Sequence, residues 1–339
     1  MSSHGTRGNK VGSMEVARLA GVSRSTVSRV FTPGTYVADE TRVKVMQAAE
    51  VLGYRPNIIA RSLTTKSTRL VGIVTGHLEN PSHAALVRMI AAGVQDAGMA
   101  SLLVTAHYNE VDRVMQSLMS YQVDALVVTS AVPTAAISAE CERAGIPLIV
   151  TNQRHEPETG MAVYGDNRAG ATLVGNHLVD QGWSRFAVIA GIEIASSIDR
   201  VDAFTLALAR RGHALLARET GNFEREETTT AMRALLSRDV RPDAVFCAND
   251  EMAVAALDVA RIDFGLQPGR DIAIAGYDDS PLSRLRAYDL TTVRSDIDAI
   301  AAGAVSYVLE TRNGQAPTVR KTIVPPELVV RSSTVRQRS

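Results

Sequence analysis

The chain has 339 residues, 45% of them hydrophobic and 21% charged, with 36 Lys and Arg balanced by 36 Asp and Glu. That is too long for one small core and suits a multi-domain protein. No run approaches the roughly 20 apolar residues of a membrane span, and the polar start Met1 to Lys10 lacks the apolar segment of a secretory signal, so a cytoplasmic protein is expected.

The zero net charge hides an asymmetry. Residues 1–70 carry 11 basic and 4 acidic side chains, whereas residues 71–339 carry 25 and 32. A basic module on an acidic body is expected where one part meets phosphates and the other does not, although charge alone leaves a solubilising tail equally open. The only cysteines, Cys141 and Cys247, have neither metal-ligand spacing nor the density of a disulfide scaffold, so they read as core residues. Nothing implies a metal or a cofactor.

Residues 1–11 read as a flexible N-terminal tail. Residues 12–56 then read as three short helices. The first carries apolar Val16, Leu19 and Ala20 and stops at Gly21, which can turn left-handed. Ser23 is a natural N-cap for the second, Arg24 to Phe31, where Val27 and Val30 face inward and Arg24, Ser25, Ser28 and Arg29 face out. The third, about Asp39 to Leu52, repeats Val45, Ala48, Ala49 and Leu52 along one stripe that covers the other two. Such a pair of helices lets the second enter a DNA major groove; an ordinary three-helix bundle fits the same spacings.

VARLAGVSRSTVSRVF, VADETRVKVMQAAEVLGYRPN and IARSLTTKSTRLVGIV resemble, without a gap, the headpiece, third helix and hinge of the LacI/GalR family of transcription regulators. The resemblance implies that Arg24, Ser25 and Arg29 read bases while Ser23, Thr26, Ser28 and Asn57 hold the DNA backbone. Two positions depart from the family: Ala38 stands in place of a capping serine and Gly12-Ser13 in place of a capping threonine, so Asp39 or Ser13 is expected to cap instead. Residues 57–68 form a hinge too short to hold itself helical in water. By resemblance it pairs with its copy in a dimer over the minor groove, with Leu63 as an apolar wedge between base steps; a plain linker leucine is the alternative.

From residue 69 to 331, β-rich runs alternate with helical segments: LVGIV, Ala84 to Gln95, SLLVT, Val111 to Ser120, DALVVT, Ala135 to Arg143, PLIVT. A second series follows, with helices expected over Gly170 to Asp180, Val201 to Arg211, Thr228 to Leu236 and Glu251 to Val259, and strands at RFAVIA, AVFCA and IAIAGY. Alternation at this spacing predicts two doubly wound α/β lobes with a ligand cleft at the carboxyl ends of their strands. The lobes are expected at about 69–164 with 297–324, and 165–296 with 325–331; residues 332–339 read as a tail. DNRAGATLVGNHLVDQGW, FCANDEMAVAAL, IAIAGYDDSPL and LTTVRSD resemble the same family's core, which shares its architecture with periplasmic sugar-binding proteins.

The resemblance implies that Asn152, Arg200, Asn249 and Asp278 offer polar groups to a sugar-like effector, with Phe223 as an aromatic wall. Read singly, each has a structural role too: Asn249 and Asp250 as a helix cap, Asp278 as a turn former, Arg200 as a surface ion pair. Ser82 and His83 replace aromatic residues that many relatives carry after the proline. They make the mouth more polar and suit a sugar acid or phosphorylated sugar; a solvent-facing histidine is the other reading. Ala203 in place of glycine and Asp289 in place of proline have no consequence legible here. The closing VVRSSTVRQRS carries no heptad, so a homodimer on a palindromic operator is expected.

Phosphate loops, dinucleotide fingerprints, nucleophile elbows and HExxH are all missing, so an enzyme is not expected. A sugar-binding transport protein would share the core but not the basic headpiece. Repression relieved by the ligand is expected ahead of a corepressor or activator mode, although linkage asks only that the ligand prefer one of two core arrangements.

Overall fold

The computed structural model describes residues 11–32, 35–55, 67–76, 78–107, 110–129, 131–155, 160–313 and 321–336. The chain forms two compact units, Met1–Thr68 and Arg69–Ser339. Among the described residues no helix is long and apolar enough to cross a membrane.

In the first unit, α1 spans Ser13–Ala20, α2 Arg24–Val30 and α3 Asp39–Val51. Val16, Ala17, Val27, Val30, Val45, Ala48 and Ala49 make its core. Leu19, read as one of the apolar positions of the first helix, is 54% exposed, whereas Val16 and the small Ala17 are buried in the core. Gly21 adopts φ 67°, a left-handed conformation that costs a glycine little, and ends α1. Ser23 caps α2 by accepting the Thr26 N–H at 3.1 Å.

Neither substitute cap forms. The Ser13 hydroxyl instead accepts from Arg24 Nε at 3.2 Å, while Glu15 takes the Gly12 N–H at 2.9 Å. Ala38 starts α3 without a side-chain cap; Asp39 and Glu40 lie in its first turn, where negative charge is favoured. Arg42 donates to the Val30 carbonyl at 3.1 Å, satisfying one of the orphan carbonyls at the end of α2 and fixing that helix on α3.

In the second unit, one lobe is a six-stranded sheet in the order β11-β5-β4-β3-β1-β2. Its strands are β1 Leu70–Thr75, β2 Ala100–Thr105, β3 Ala125–Thr129, β4 Leu148–Thr151, β5 Met161–Gly165 and β11 Lys321–Val324, all paired in parallel. The inner strands β1, β3, β4 and β5 are buried on both faces, which is why they read as unbroken apolar runs, whereas the edge strands β2 and β11 are partly exposed. Val71, Ile73 and Val127 pack toward Ile90, Val94 and Ala304, while Val74, Leu126 and Val128 pack toward Met115, Leu118 and Ile137.

The other lobe is a parallel sheet in the order β7-β6-β8-β9, from β6 Phe186–Ala190, β7 Leu215–Thr220, β8 Ala244–Cys247 and β9 Ala273–Ala275. A short antiparallel pair, β10 Thr292–Arg294 and β12 Glu327–Val329, lies beside it. The chain therefore passes between the lobes after β5, after β10 and after β11. Cys141 and Cys247 are buried, and burial raises the Cys141 thiol to about 11 and pushes Cys247 up further.

Residues 332–336 are not a tail. Thr334 is fully buried: its carbonyl accepts from Trp183 Nε1 at 2.9 Å and its hydroxyl pairs with His177 Nε2 at 2.8 Å. Asp289 explains how the segment is held. It sits at φ 41°, which a proline ring forbids, and its carboxylate accepts the Ser332 N–H at 3.1 Å. The Ser332 side chain, and to a lesser degree that N–H and the Arg331 charge, hold the Asp289 carboxyl below the ordinary aspartate range against burial.

Candidate functional site

On the headpiece, the outer face of α2 presents Ser23, Arg24, Ser25, Ser28 and Arg29 as exposed and Thr26 as half-buried. Three of its hydroxyls bond to one another: Ser23 Oγ pairs with Ser25 Oγ at 2.7 Å and with Thr26 Oγ1 at 2.8 Å. Arg24 is turned toward Ser13. Arg29 differs: among the described residues its guanidinium makes no hydrogen bond or ion pair, so it projects an uncompensated charge from the face. Asn57 and Leu63 lie outside the described residues.

In the core, a cleft cavity of about 210 Å³ opens between the two lobes. Six of the seven residues expected there line it: His83, Asn152, Arg200, Phe223, Asn249 and Asp278. Ser82 does not; its N–H is capped by Asn80 Oδ1 at 2.9 Å at the start of the helix Pro81–Asp96.

Arg200 lies in the helix Ala195–Arg210 and is 5% exposed, so the surface-ion-pair reading fails. Its Nε donates to Asn167 Oδ1 at 2.8 Å and one terminal nitrogen to the Ala248 carbonyl at 2.6 Å; the other stands 3.5 Å from Asp278 Oδ1. The guanidinium stacks 3.6 Å from the centre of the Tyr277 ring. Two of its three nitrogens are therefore committed to protein, and it reaches the cleft as a charge beside Asp278 rather than as an open fork.

Asp278 adopts φ 116° and Asn152 and Phe223 adopt φ 59° and 64°, strained values for residues with a side chain. Three such positions on one cavity wall are the kind of stored strain that accompanies binding sites. Asn249 both caps and lines: its Oδ1 accepts the Met252 N–H at 2.9 Å. Burial raises the Asp278 carboxyl, with Arg200 and Asn80 opposing. Burial likewise raises Glu251, with Asp278 adding to the rise and Arg225 working against it.

Three contacts bridge the lobes at this cleft. Asn80 Nδ2 donates to Asp278 Oδ2 at 3.3 Å, Gln153 Nε2 to Ser196 Oγ at 3.2 Å, and Arg154 Nε to Asp199 Oδ2 at 2.8 Å. Asn80 is thus a cap and a latch at once. Sequence reasoning missed Asn80, Gln153, Ser196 and Glu251 at the cleft. The Asn-Pro dipeptide before a helix was a legible signal for the first, and Glu251 sits inside the matched run FCANDEMAVAAL.

The aromatic wall depends on a glycine. A Cβ on Gly191 would fall 2.1 Å from the Phe223 ring, so the ring lies directly on the backbone after β6. Gly191→Ala is expected to displace the ring and destabilise the core by about 1–3 kcal/mol, the usual range for overpacking. Urea unfolding measures the loss. A variant as stable as the parent would mean that the ring moves aside freely and is no fixed wall.

The carboxylates Glu79, Glu224, Glu251 and Asp278 face the same cavity as the guanidinium groups Arg200 and Arg225. This balance opposes the sugar acid or phosphorylated sugar expected from Ser82 and His83, because the field inside a low-dielectric cleft repels a further anion.

Comparisons agree with both halves of this architecture. Residues 14–57 match the family of bacterial regulatory proteins, lacI family, and residues 176–334 match a periplasmic binding protein-like domain. The HTH-type transcriptional repressor PurR of Erwinia tasmaniensis is 32% identical over 328 residues, covering 94% of this chain and 95% of its own. The lac repressor dimer bound to operator and the anti-inducer ONPF superposes with a TM-score of 0.87 at 26% identity, over 97% of this chain and all of that one. A CelR transcriptional regulator in complex with cellobiose superposes at 0.71 with 28% identity, over 95% of this chain and 99% of that one. The match runs through headpiece and two-lobed core alike, and the chain belongs to the lacI family of bacterial regulatory proteins.

Proposed function

We propose that the chain is a sequence-specific transcription regulator that binds a palindromic operator as a homodimer and responds to a small polyhydroxylated effector held between its core lobes. It acts in the cytoplasm and catalyses no reaction. The single observation that carries the DNA reading is the outer face of α2, with an exposed, uncompensated Arg29 on a helix whose other face is the headpiece core.

In this reading residues 12–56 are the DNA-binding domain, 57–68 the hinge and 69–336 the effector and dimerisation core. Arg29 reads a guanine edge. Arg24 and Ser25 contribute to base reading, and Ser23, Thr26, Ser28 and Asn57 hold phosphates. Leu63 wedges the minor groove.

The core transmits the signal through the bridges Asn80 to Asp278, Gln153 to Ser196 and Arg154 to Asp199. A ligand that competes for Asp278 or completes this set prefers one lobe arrangement, and that preference is all the coupling requires. The complexes of the lac repressor and of CelR support a sugar-like effector and a dimer.

Selection of binding sites from a random DNA pool at fixed salt tests the reading. A palindromic consensus is expected. Arg29→Ala should relax one base position in each half-site and weaken binding about fivefold to 150-fold per half-site, from the roughly 1–3 kcal/mol of a bidentate guanine contact. Leu63→Ala should weaken dependence on the central step. Enrichment of no sequence at low salt would sink the proposal.

A further inference from the structure

Resting on the effector reading above, the geometry points to a more specific ligand class: we infer that the cleft recognises an amine-bearing polyol, such as an amino sugar, whose ammonium group is received by Glu251 with Asp278.

The charges of the cleft are unequally compensated. Arg200 is the only buried cation of the cavity wall among the described residues, and its charge is answered by Asp278. Arg225 also lines the cavity, but it is exposed and lies 3.4 Å from Asp258 Oδ2. Neither guanidinium hydrogen-bonds to the buried Glu251 Oε1, which has no hydrogen-bond partner among the described residues. A buried carboxylate oxygen without a donor is rare, because leaving it unsatisfied forfeits its hydration with nothing in return. Something in the bound state is expected to supply the donor.

A hydroxyl could donate, but the surroundings favour a cation. Glu251 opens the helix Asp250–Asp258 beside Asn249, and Asp278 faces the same cavity. Burial pushes the Glu251 carboxyl upward; the Arg225 charge opposes the rise and the Asp278 charge adds to it, and the net direction is up. Two carboxylates sharing a cavity disfavour each other's charge, and a ligand ammonium relieves both at once. Glu79 and Glu224, exposed at the mouth, extend the negative field outward toward an approaching cation. The Phe223 ring covers an apolar sugar face, and Asn152 and Asn249 suit hydroxyls.

The test is isothermal titration of the full-length protein with matched pairs: glucosamine against glucose, galactosamine against galactose, and glucose 6-phosphate as the anionic counterpart. At least one amine is expected to bind tenfold or more tighter than its hydroxyl partner, with no binding of the phosphate. Glu251→Gln should shrink that preference below threefold, and circular dichroism confirms that the variant folds. Equal binding within each pair, tighter binding of the phosphate, a preference unchanged in Glu251→Gln, or no binding by any amine overturns the inference. Operator selection without ligand separates the cases: a palindromic consensus alongside any of these results leaves the regulator standing and removes only the amine.

Discussion

Asp279→Ala is expected to destabilise the core by about 3–5 kcal/mol, the range for removing one partner from a buried ion pair. The carboxylate is 1% exposed and is met by Arg331 at 2.6 Å, Arg294 at 2.8 Å and Arg284 at 2.9 Å. The three contacts are unequal. Arg284 and Arg294 are 60% and 42% exposed, so water screens them and replaces much of what they lose. Arg331 is 13% exposed, and without Asp279 its charge would stay buried beside the Leu290 carbonyl and the Ser283 hydroxyl. The energy therefore sits mainly in that one pair.

The same cluster sets a pH signature. Burial alone would raise the Asp279 carboxyl, but hydrogen bonds from Arg331 and Arg294 and the charges of Arg331 and Arg284 outweigh it and hold it below the ordinary range. A depressed carboxylate contributes stability above its unfolded value, near pH 4, and loses it as pH falls through the folded value. Denaturant unfolding of parent and variant should show the full difference at pH 7 and a smaller one below about pH 4. A loss under 1 kcal/mol at pH 7 would mean that Arg331 finds water or another acceptor and that the cluster is ornamental.

The headpiece and the central strands were legible because their signals are local. Val27 and Val30 must face inward if the α2 helix is to pack at all, and β1, β3 and β4 are buried on both faces, so their composition announces them. What escaped depends on partners distant in sequence. β7 is an edge strand with alternating burial, and its LLARET does not stand out from a helix. The core helices expected to begin at Ala84, Val201 and Thr228 begin instead at Pro81, Ala195 and Arg225. Apolar periodicity finds where a helix packs, whereas their first turns face the cleft and carry polar residues. The C-terminal segment looked like a tail because its anchors, Trp183 and Asp289, are supplied by the opposite end of the lobe.

At the cleft, residue types were legible and their commitments were not. Arg200 reads as an open guanidinium until Asn167 and the Ala248 carbonyl are seen to occupy it. Asn80 falls ahead of the helix expected from Ala84, and both its capping of Pro81–Asp96 and the reach of its amide nitrogen to Asp278 appear only in the fold. Neither long-range contact is visible in chain order, because each joins segments more than thirty residues apart.

Arg200→Ala should show how far the cleft is built around one charge. The expected loss is again about 3–5 kcal/mol, since Asp278 would be left buried without its cation and two acceptors would lose their donors. Unlike Asp279, this site should respond to pH in the opposite sense. Burial already raises the Asp278 carboxyl while Arg200 restrains it, so removing Arg200 raises it further. A carboxylate with a raised folded pKa contributes stability below its unfolded value and loses it as pH rises through the folded one. Asp250, buried and also raised by burial and by the Asp278 charge, titrates in both proteins and largely cancels in the comparison. The deficit of Arg200→Ala against the parent should therefore be smaller at pH 5 than at pH 8, and adding Asp278→Asn should recover part of it at pH 8. A deficit that does not change between pH 5 and pH 8 would show that Arg200 stabilises the lobe through its bonds to Asn167 and Ala248 and its stacking on Tyr277. In that event the charge beside Asp278 is held for the ligand and contributes little to the fold.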